Sequence, residues 1–145
     1  MLPILPPPCN IGMTALPAMQ PLTIAQSQGM KPPMLILKIF RRPEWNAFVA
    51  AGETLGAPID LTDGFIHFST AAQVAETAEK YFGTESDLVL VAFDDTKLGA
   101  ALKWEPSRGG ALFPHLYRAL LMSDVVWDKS LPLGATGHIF PEGLW

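Results

Sequence analysis

The run Leu88–Phe93 (LVLVAF) constrains the fold of this chain more than any other segment, because all of its residues are apolar. An apolar run of this length, without alternating polar residues, is typical of a strand that is buried on both faces. Such a strand needs a layer of structure on each side, and 145 residues are enough for one domain of that kind. We therefore expect a single domain built around this central strand.

Two helices are predicted beside the central strand. The first begins near Pro43 and ends at Gly52, and its apolar residues fall at helical spacing. The second begins with the capping box Thr70–Gln73 and ends at Gly83. The segment Gly52–Asp63 between them is predicted to be a loop. Further short strands are expected at Leu35–Phe40, Gly64–Ser69, Leu102–Glu105, His115–Tyr117 and Val125–Trp127.

These short strands with two main helices favour an α+β fold over a βαβ repeat. The sequence also lacks the glycine-rich loops of Rossmann and P-loop nucleotide-binding proteins, which argues against both classes.

Residues 1–33 differ in composition from the rest, since they contain eight of the 14 prolines and Lys31 is their one charged residue. Prolines at this density disfavour helices and central strands, so we expect a disordered tail followed by a folded domain over residues 34–145. An alternative is that translation begins at Met30 or Met34. Because the prolines interrupt every apolar run, we expect neither a signal peptide nor a membrane span, and hence a cytoplasmic protein.

Charge and cysteine content narrow the classes of partner. From Met34 onward nine Lys and Arg residues face fourteen Asp and Glu residues, and only Arg41 and Arg42 are adjacent cations. Nucleic-acid binding needs clustered cations, so it is disfavoured, whereas a small anionic ligand is not. Cys9 is the single cysteine, and no two histidines have the spacing of a helical metal site. We expect neither a disulfide nor a bound metal.

The first candidate site lies in Gly64–Thr70 (GFIHFST). Alternation along a strand places His67 and Ser69 side by side, and Thr70 then begins a helix. Free backbone N–H groups at a helix start favour an anionic or oxygen-rich ligand, so this segment is predicted to hold a ribose or a phosphate. The alternative is a structural role, with His67 as a hydrogen-bonded core residue.

The second candidate site lies in Lys103–Tyr117 (KWEPSRGGALFPHLY), where several polar side chains surround two glycines. A guanidinium suits phosphate or carboxylate, and glycines permit close approach of the backbone to a ligand. The alternative is a structural turn with Glu105 and Arg108 as a surface ion pair. The candidate residues are Glu105, Arg108, Gly109, His115 and Tyr117.

The residues of both segments resemble those of the bacterial family catalogued as domain of unknown function 952. The resemblance covers Met34 to about Pro141. Its motifs are Asp63–Thr70 (DGFIHFST), Leu102–Gly110 (LKWEPSRGG), Phe113–Tyr117 (FPHLY), Leu131–Gly134 (LPLG) and Gly137–Pro141 (GHIFP).

The family's fold is similar to that of the ADP-ribosyltransferases and RNA 2′-phosphotransferases. The resemblance therefore implies a split, mixed and mostly antiparallel sheet with NAD bound in its cleft. His67 matches the strand residue that holds a ribose in that superfamily, whereas Glu105 and Glu142 are both candidates for its late-strand glutamate.

The leading interpretation is a small-molecule site for NAD or ADP-ribose, with Glu105 and His67 as the catalytic residues of an ADP-ribosyl transfer or NAD glycohydrolysis reaction. Two alternatives remain open: a ligand-binding or regulatory domain without turnover, and an RNA 2′-phosphotransferase-like enzyme. The expected ligand contacts are His67, Ser69, Thr70, Arg108, Gly109, His115 and Tyr117.

Overall fold

The computed structural model of the protein describes residues 33–107 and 109–144. The first 32 residues of the predicted tail (1–33) lie outside the described residues. The candidate site residue Arg108 also lies outside them.

Three α-helices occur in the described part of the chain. They are α1 (Arg42–Ala51), α2 (Pro58–Asp63) and α3 (Ala71–Phe82). The two long helices were predicted from the sequence, and α1 ends at Gly52 with a positive φ of 82°. The loop prediction for Gly52–Asp63 was wrong, because this segment contains α2. Pro58 occupies the first helical position and Asp60 the third, and both are typical of a helix start.

The larger sheet has four antiparallel strands in the order β4-β1-β5-β9. The strand β5 contains the apolar run and lies inside the sheet, as predicted. The strands are β1 (Leu35–Arg41), β4 (Ser69–Thr70), β5 (Leu88–Asp94) and β9 (Val125–Leu131).

A second sheet has three antiparallel strands in the order β3-β7-β6. Its strands are β3 (Ile66–His67), β6 (Leu102–Pro106) and β7 (Leu112–Leu116). Two small antiparallel pairs complete the described strands: β2 (Glu53–Thr54) with β8 (Leu120–Leu121), and β10 (Leu133–Gly134) with β11 (Gly137–His138).

The chain crosses from the three-stranded sheet to the four-stranded sheet at Phe68. The sequence predicted one continuous strand over Gly64–Ser69, and the structure divides it into β3 and β4. The Phe68 ring is buried, and its N–H donates to the carbonyl oxygen of Pro114 at 3.0 Å. This crossing separates His67 from Ser69, because the two residues belong to different sheets.

Two hydrophobic clusters cover the opposite faces of β5. The first contains Val91 together with apolar residues of α1, β3 and β7, among them Ile66 and Leu116. The second contains Leu90 together with apolar residues of α3 and the end of β9, among them Leu131. The central strand is therefore buried on both faces, as its sequence predicts.

The described residues form a small α+β domain whose strand pairs are all antiparallel, so the predicted mixed character of the sheet is not found there. Among the same residues, no helix combines the length and apolar character needed to cross a membrane.

Candidate functional site

One face of the three-stranded sheet carries most of the candidate site residues. The register aligns His67 with His115 and His115 with Lys103, so these side chains share a face. Ile66 and Leu116 form the neighbouring pair, and they point to the opposite face, into the first hydrophobic cluster. The sheet is therefore amphipathic, with an apolar side against the core and a polar side away from it.

Phe65 joins the side chains of this polar side into one aromatic group. Its ring centroid lies 4.3 Å from that of His115 and 5.2 Å from that of Tyr117, whose plane is nearly parallel to it at 4°. The Phe65 and His67 ring centroids are 4.7 Å apart, and those of the two histidines 5.3 Å apart. We call Phe65, His67, Glu105, His115 and Tyr117 the aromatic face.

Glu105 supplies the carboxylate of the aromatic face. Its Oε1 accepts a hydrogen bond from the Tyr117 hydroxyl at 2.6 Å and lies 2.8 Å from His115 Nδ1. The hydrogen bond from Tyr117, followed by that from His115, lowers the pKa of Glu105 below its ordinary value. The same bond to Glu105 raises the pKa of Tyr117. At neutral pH Glu105 is therefore an anion, suited to accept hydrogen bonds or to stabilise positive charge.

His67 lies between two aspartates of α2. Its Nδ1 lies 2.5 Å from Oδ1 of Asp60, and its Nε2 lies 3.0 Å from Oδ2 of Asp63. The Asp60 side chain is fully buried, whereas that of Asp63 is 38% exposed. The structure thus gives His67 one buried and one solvent-accessible carboxylate partner.

Asp60 also links His67 to the protein core. Its Oδ2 accepts hydrogen bonds from the ammonium group of Lys38 at 2.8 Å and from the backbone N–H of Ala57 at 2.7 Å. Burial raises the pKa of Asp60, but the hydrogen bond with His67 and the charge of Lys38 outweigh it and lower the pKa to about 2. Asp60 is therefore ionised throughout the physiological pH range.

The structure does not bring Ser69 to the aromatic face. The Ser69 hydroxyl is nearly buried and lies 3.0 Å from the Thr77 hydroxyl of α3. Thr70 precedes α3, and its N–H donates to Oε1 of Gln73 at 3.0 Å, which is one half of the predicted capping box.

Gly109 lies in the loop between β6 and β7, with a positive φ of 88° that glycine adopts without strain. This loop is closed by a hydrogen bond from the N–H of Ser107 to the carbonyl oxygen of Ala111 at 2.9 Å. His67, Glu105, His115 and Tyr117 therefore form the group that the fold assembles.

A cavity of about 240 Å³ adjoins the aromatic face at the start of β3 and the end of β7. Phe65 and Tyr117 line it on the side of the aromatic face, and Leu55, Leu61 and Arg118 are among its other lining residues. The guanidinium of Arg118 is itself paired with Asp124 at 2.9 Å. The cavity therefore combines apolar walls with a polar rim.

Within residues 33–107 and 109–144, no group of three or more His, Cys, Asp or Glu side chains is arranged to hold a metal ion. The carboxylates of the site are occupied by imidazole, hydroxyl and ammonium partners, which gives it the character of a hydrogen-bonding site.

Phe65, Lys38 and Asp60 belong to this arrangement but are not among the site residues that the sequence predicts. Strand alternation places Phe65 on the same side as His67, so the signal for Phe65 was present. Asp60 follows Pro58 at a helix start, and recognising α2 would have drawn attention to it. No local signal connects Lys38 with Asp60, because 22 residues separate them.

The chain is similar to one sequence family and to the solved structures of one protein. The sequence model described as "Protein of unknown function (DUF952)" matches residues 39–128. The crystal structure of protein CC0527 from Caulobacter crescentus is 52% identical, with a TM-score of 0.69, and the match covers 72% of this chain and 91% of that protein. Its solution NMR structure gives 52% identity and a TM-score of 0.66, with coverage of 72% and 90%. No curated protein matches the chain. Since the family match spans more than half of the sequence, the chain belongs to the DUF952 family of proteins of unknown function.

Proposed function

We propose that the aromatic face binds a small nucleotide of the NAD or ADP-ribose type. One observation carries the proposal: four candidate residues from two distant segments, His67, Glu105, His115 and Tyr117, meet with Phe65 on one face of a sheet. Flat rings for stacking beside fixed hydrogen-bonding groups are the two features that a nucleoside requires.

The ribose is assigned to the imidazole of His67 and the carboxylate of Glu105. Glu105 is an anion held by His115 and Tyr117, and carboxylate oxygens accept hydrogen bonds from a ribose diol. His67 is part of the same group, because its ring lies 5.3 Å from that of His115. The side chain of His67 is 34% exposed and can meet a ribose hydroxyl, whereas the nearly buried His115 holds Glu105 in place.

The flat ring of the ligand is assigned to the cavity beside Phe65 and Tyr117. Its volume of about 240 Å³ is sufficient for a heterocycle, and its leucine walls favour an apolar one. Stacking on an aromatic side chain contributes about 1–3 kcal/mol per base.

The phosphates are assigned to Lys103, which is exposed and is the register partner of His115. Its ammonium group is a compact cation that binds a phosphate as a point charge.

The sequence resemblance implies a similarity to ADP-ribosyltransferases. We therefore propose ADP-ribosyl transfer or NAD glycohydrolysis as the reaction at this site. In that reaction the bond between nicotinamide and ribose breaks, nicotinamide leaves with the bonding electrons, and positive charge develops on the ribose. Water or an acceptor hydroxyl then attacks the ribose and releases its proton to solvent. Glu105, as an anion, stabilises that charge, and His67 positions the ribose.

Titration of the protein with ADP-ribose, NAD and, as a control, adenine alone tests the proposal. We expect ligand-observed NMR to detect ADP-ribose and NAD, and each of His67→Ala and His115→Ala to weaken binding at least tenfold. His138→Ala is the matched control, because His138 lies on β11 and contacts the carbonyl oxygen of Glu85. Equal binding by all three variants would place the ligand elsewhere.

Incubation with NAD separates transfer from simple binding. Release of nicotinamide that is lost in Glu105→Gln and kept in Glu142→Gln would support a catalytic site. Stoichiometric binding without release of nicotinamide would support a ligand-binding domain at the same face.

A further inference from the structure

The two ring nitrogens of His67 meet carboxylates of very different character. Nδ1 lies 2.5 Å from Asp60, whose side chain is fully buried, and Nε2 lies 3.0 Å from Asp63, whose side chain is 38% exposed. A protonated imidazole donates from both nitrogens and satisfies both carboxylates. A neutral imidazole has one proton, so one of the two contacts must then place a lone pair against an anion.

Asp60 cannot turn away from His67 to relieve such a contact. Its Oδ2 is held by Lys38 at 2.8 Å and by the N–H of Ala57 at 2.7 Å. Its Oδ1 also accepts the backbone N–H of His67 at 3.1 Å, so both oxygens are fixed by protein donors. A lone pair of His67 facing this buried anion would remain uncompensated, because water does not reach it.

Asp63, in contrast, is free to turn away from His67. Its side chain lies in the last turn of α2 and is exposed enough to rotate its carboxylate into water. Losing the contact with Nε2 therefore costs little, because solvent replaces it.

We propose that Asp60 is a positioning residue that keeps the proton of neutral His67 on Nδ1, leaving Nε2 as the nitrogen that accepts a hydrogen bond from the ligand. Asp63 pairs with Nε2 when the ring is protonated and turns its carboxylate into water when the ring is neutral, so that Nε2 can accept a hydrogen bond from a ligand hydroxyl. The assignment of Nε2 to a ligand rests on the proposed function, whereas the position of the proton does not.

The tautomer of His67 in the free protein tests the proposal without any ligand. Nitrogen NMR of the imidazole rings separates a protonated nitrogen from an unprotonated one by its chemical shift. The sequence has three histidines, so His67→Gln identifies the signals of His67. In the neutral ring we expect Nδ1 to show the shift of a protonated nitrogen and Nε2 that of an acceptor. A proton on Nε2 in the wild-type protein would overturn the proposal.

Two matched variants assign the effect to Asp60. In Asp63→Asn the proton is expected to stay on Nδ1. In Asp60→Asn the amide oxygen is expected to stay with its two donors, Lys38 and the N–H of Ala57, so the NH2 group faces Nδ1. The proton then moves to Nε2, where Asp63 accepts it. A proton that stays on Nδ1 in Asp60→Asn would show that Asp60 does not position it. If Asp60→Asn does not fold, the spectra of the wild type and of Asp63→Asn still test the proposal.

The outcome is independent of the proposed ligand. An Nδ1 proton without binding of ADP-ribose would uphold the role of Asp60 and reject the proposed function. Binding of ADP-ribose by a protein whose neutral His67 is protonated on Nε2 would reject the role of Asp60 and uphold the proposed function.

Discussion

Asp60 is a buried charge whose stability depends on its partners. Four protein groups contact its two oxygens: the Lys38 ammonium, the His67 ring, and the backbone N–H groups of Ala57 and His67. A buried carboxylate without such partners would be costly, whereas a fully hydrogen-bonded one is tolerated. The same contacts that orient His67 therefore also make Asp60 part of the stability of the fold.

Acid should remove the contribution of Asp60 to stability. Its pKa is about 2 in the folded protein against an ordinary 3.8, so the folded state favours the ionised form. A group whose pKa is lowered on folding stabilises the folded protein fully at any pH above its pKa in the unfolded chain. This stabilisation is lost as the pH falls through its pKa in the folded protein. The shift corresponds to about 2 kcal/mol. We expect the contribution of Asp60 to the free energy of unfolding to fall by about this amount between about pH 5 and pH 2.

Urea unfolding of the wild type and Asp60→Asn at several pH values measures this contribution. The difference in free energy of unfolding between the two proteins should shrink as the pH is lowered. Asp63→Asn, which removes an exposed carboxylate from the same helix, should keep the acid-dependent loss that Asp60 causes. A difference between wild type and Asp60→Asn that is the same at every pH would contradict the prediction.

At the scale of elements, α2 and the turn before it determine where Asp60 lies. Gly56 precedes the helix with a positive φ of 100°, and a Cβ atom on it would lie 2.6 Å from Cβ of Asp60. Gly64 ends the same helix with a φ of 86°, and a Cβ atom there would meet nothing within 4 Å. The two glycines therefore share a positive φ and differ in the space around them.

Alanine at these two glycines should have unequal effects. Gly64→Ala is expected to cost about 1–2 kcal/mol, because a side chain is strained at positive φ. Gly56→Ala should cost about 1–3 kcal/mol more, because the fixed side chain of Asp60 has to move. Chemical denaturation gives both values, and the ring signals of His67 should shift in Gly56→Ala. Equal destabilisation by the two substitutions would show that Asp60 is not closely packed against the turn.

The elements that the sequence predicted are those with complete local signals. The apolar run in β5, the proline and glycine at the ends of α1, and the capping box of α3 each lie within a few residues of the element they define. The helix α2 was missed because a six-residue helix offers too short a pattern to show periodicity. The break at Phe68 was missed because alternation continues through it, and only the pairing with two different sheets reveals it.

The candidate site was predictable to a similar degree. His67, Glu105, His115 and Tyr117 were selected by residue type and spacing, and the pairing of β3, β6 and β7 brings them together. Ser69 does not belong to this group, because it follows the break at Phe68 and lies in the other sheet. The contacts of Asp60 with Lys38 and His67 join parts of the chain that no local pattern connects.

At the scale of the whole molecule, the two hydrophobic clusters have different relationships to the aromatic face. The first cluster includes Ile66 and Leu116, which alternate with His67 and His115 along β3 and β7. The second lies beneath α3 on the other face of β5 and contains no residue of the three-stranded sheet. Packing defects in the first cluster should therefore reach the site, and those in the second should not.

A matched pair of leucine substitutions tests this separation. Leu116 and Leu131 are both fully buried, the first in the cluster behind the aromatic face and the second in the cluster beneath α3. Replacing either with alanine removes the same atoms, and each should cost about 2–5 kcal/mol. Leu116→Ala leaves a cavity behind the strand that holds His115, so the ring signals of His67 and His115 should shift and broaden. Leu131→Ala should leave those signals in place at a comparable loss of stability, because β5 lies between its cavity and the site. Equal disturbance of the two histidines by both variants would mean that the sheet transmits packing defects across β5 and that the site depends on the whole core.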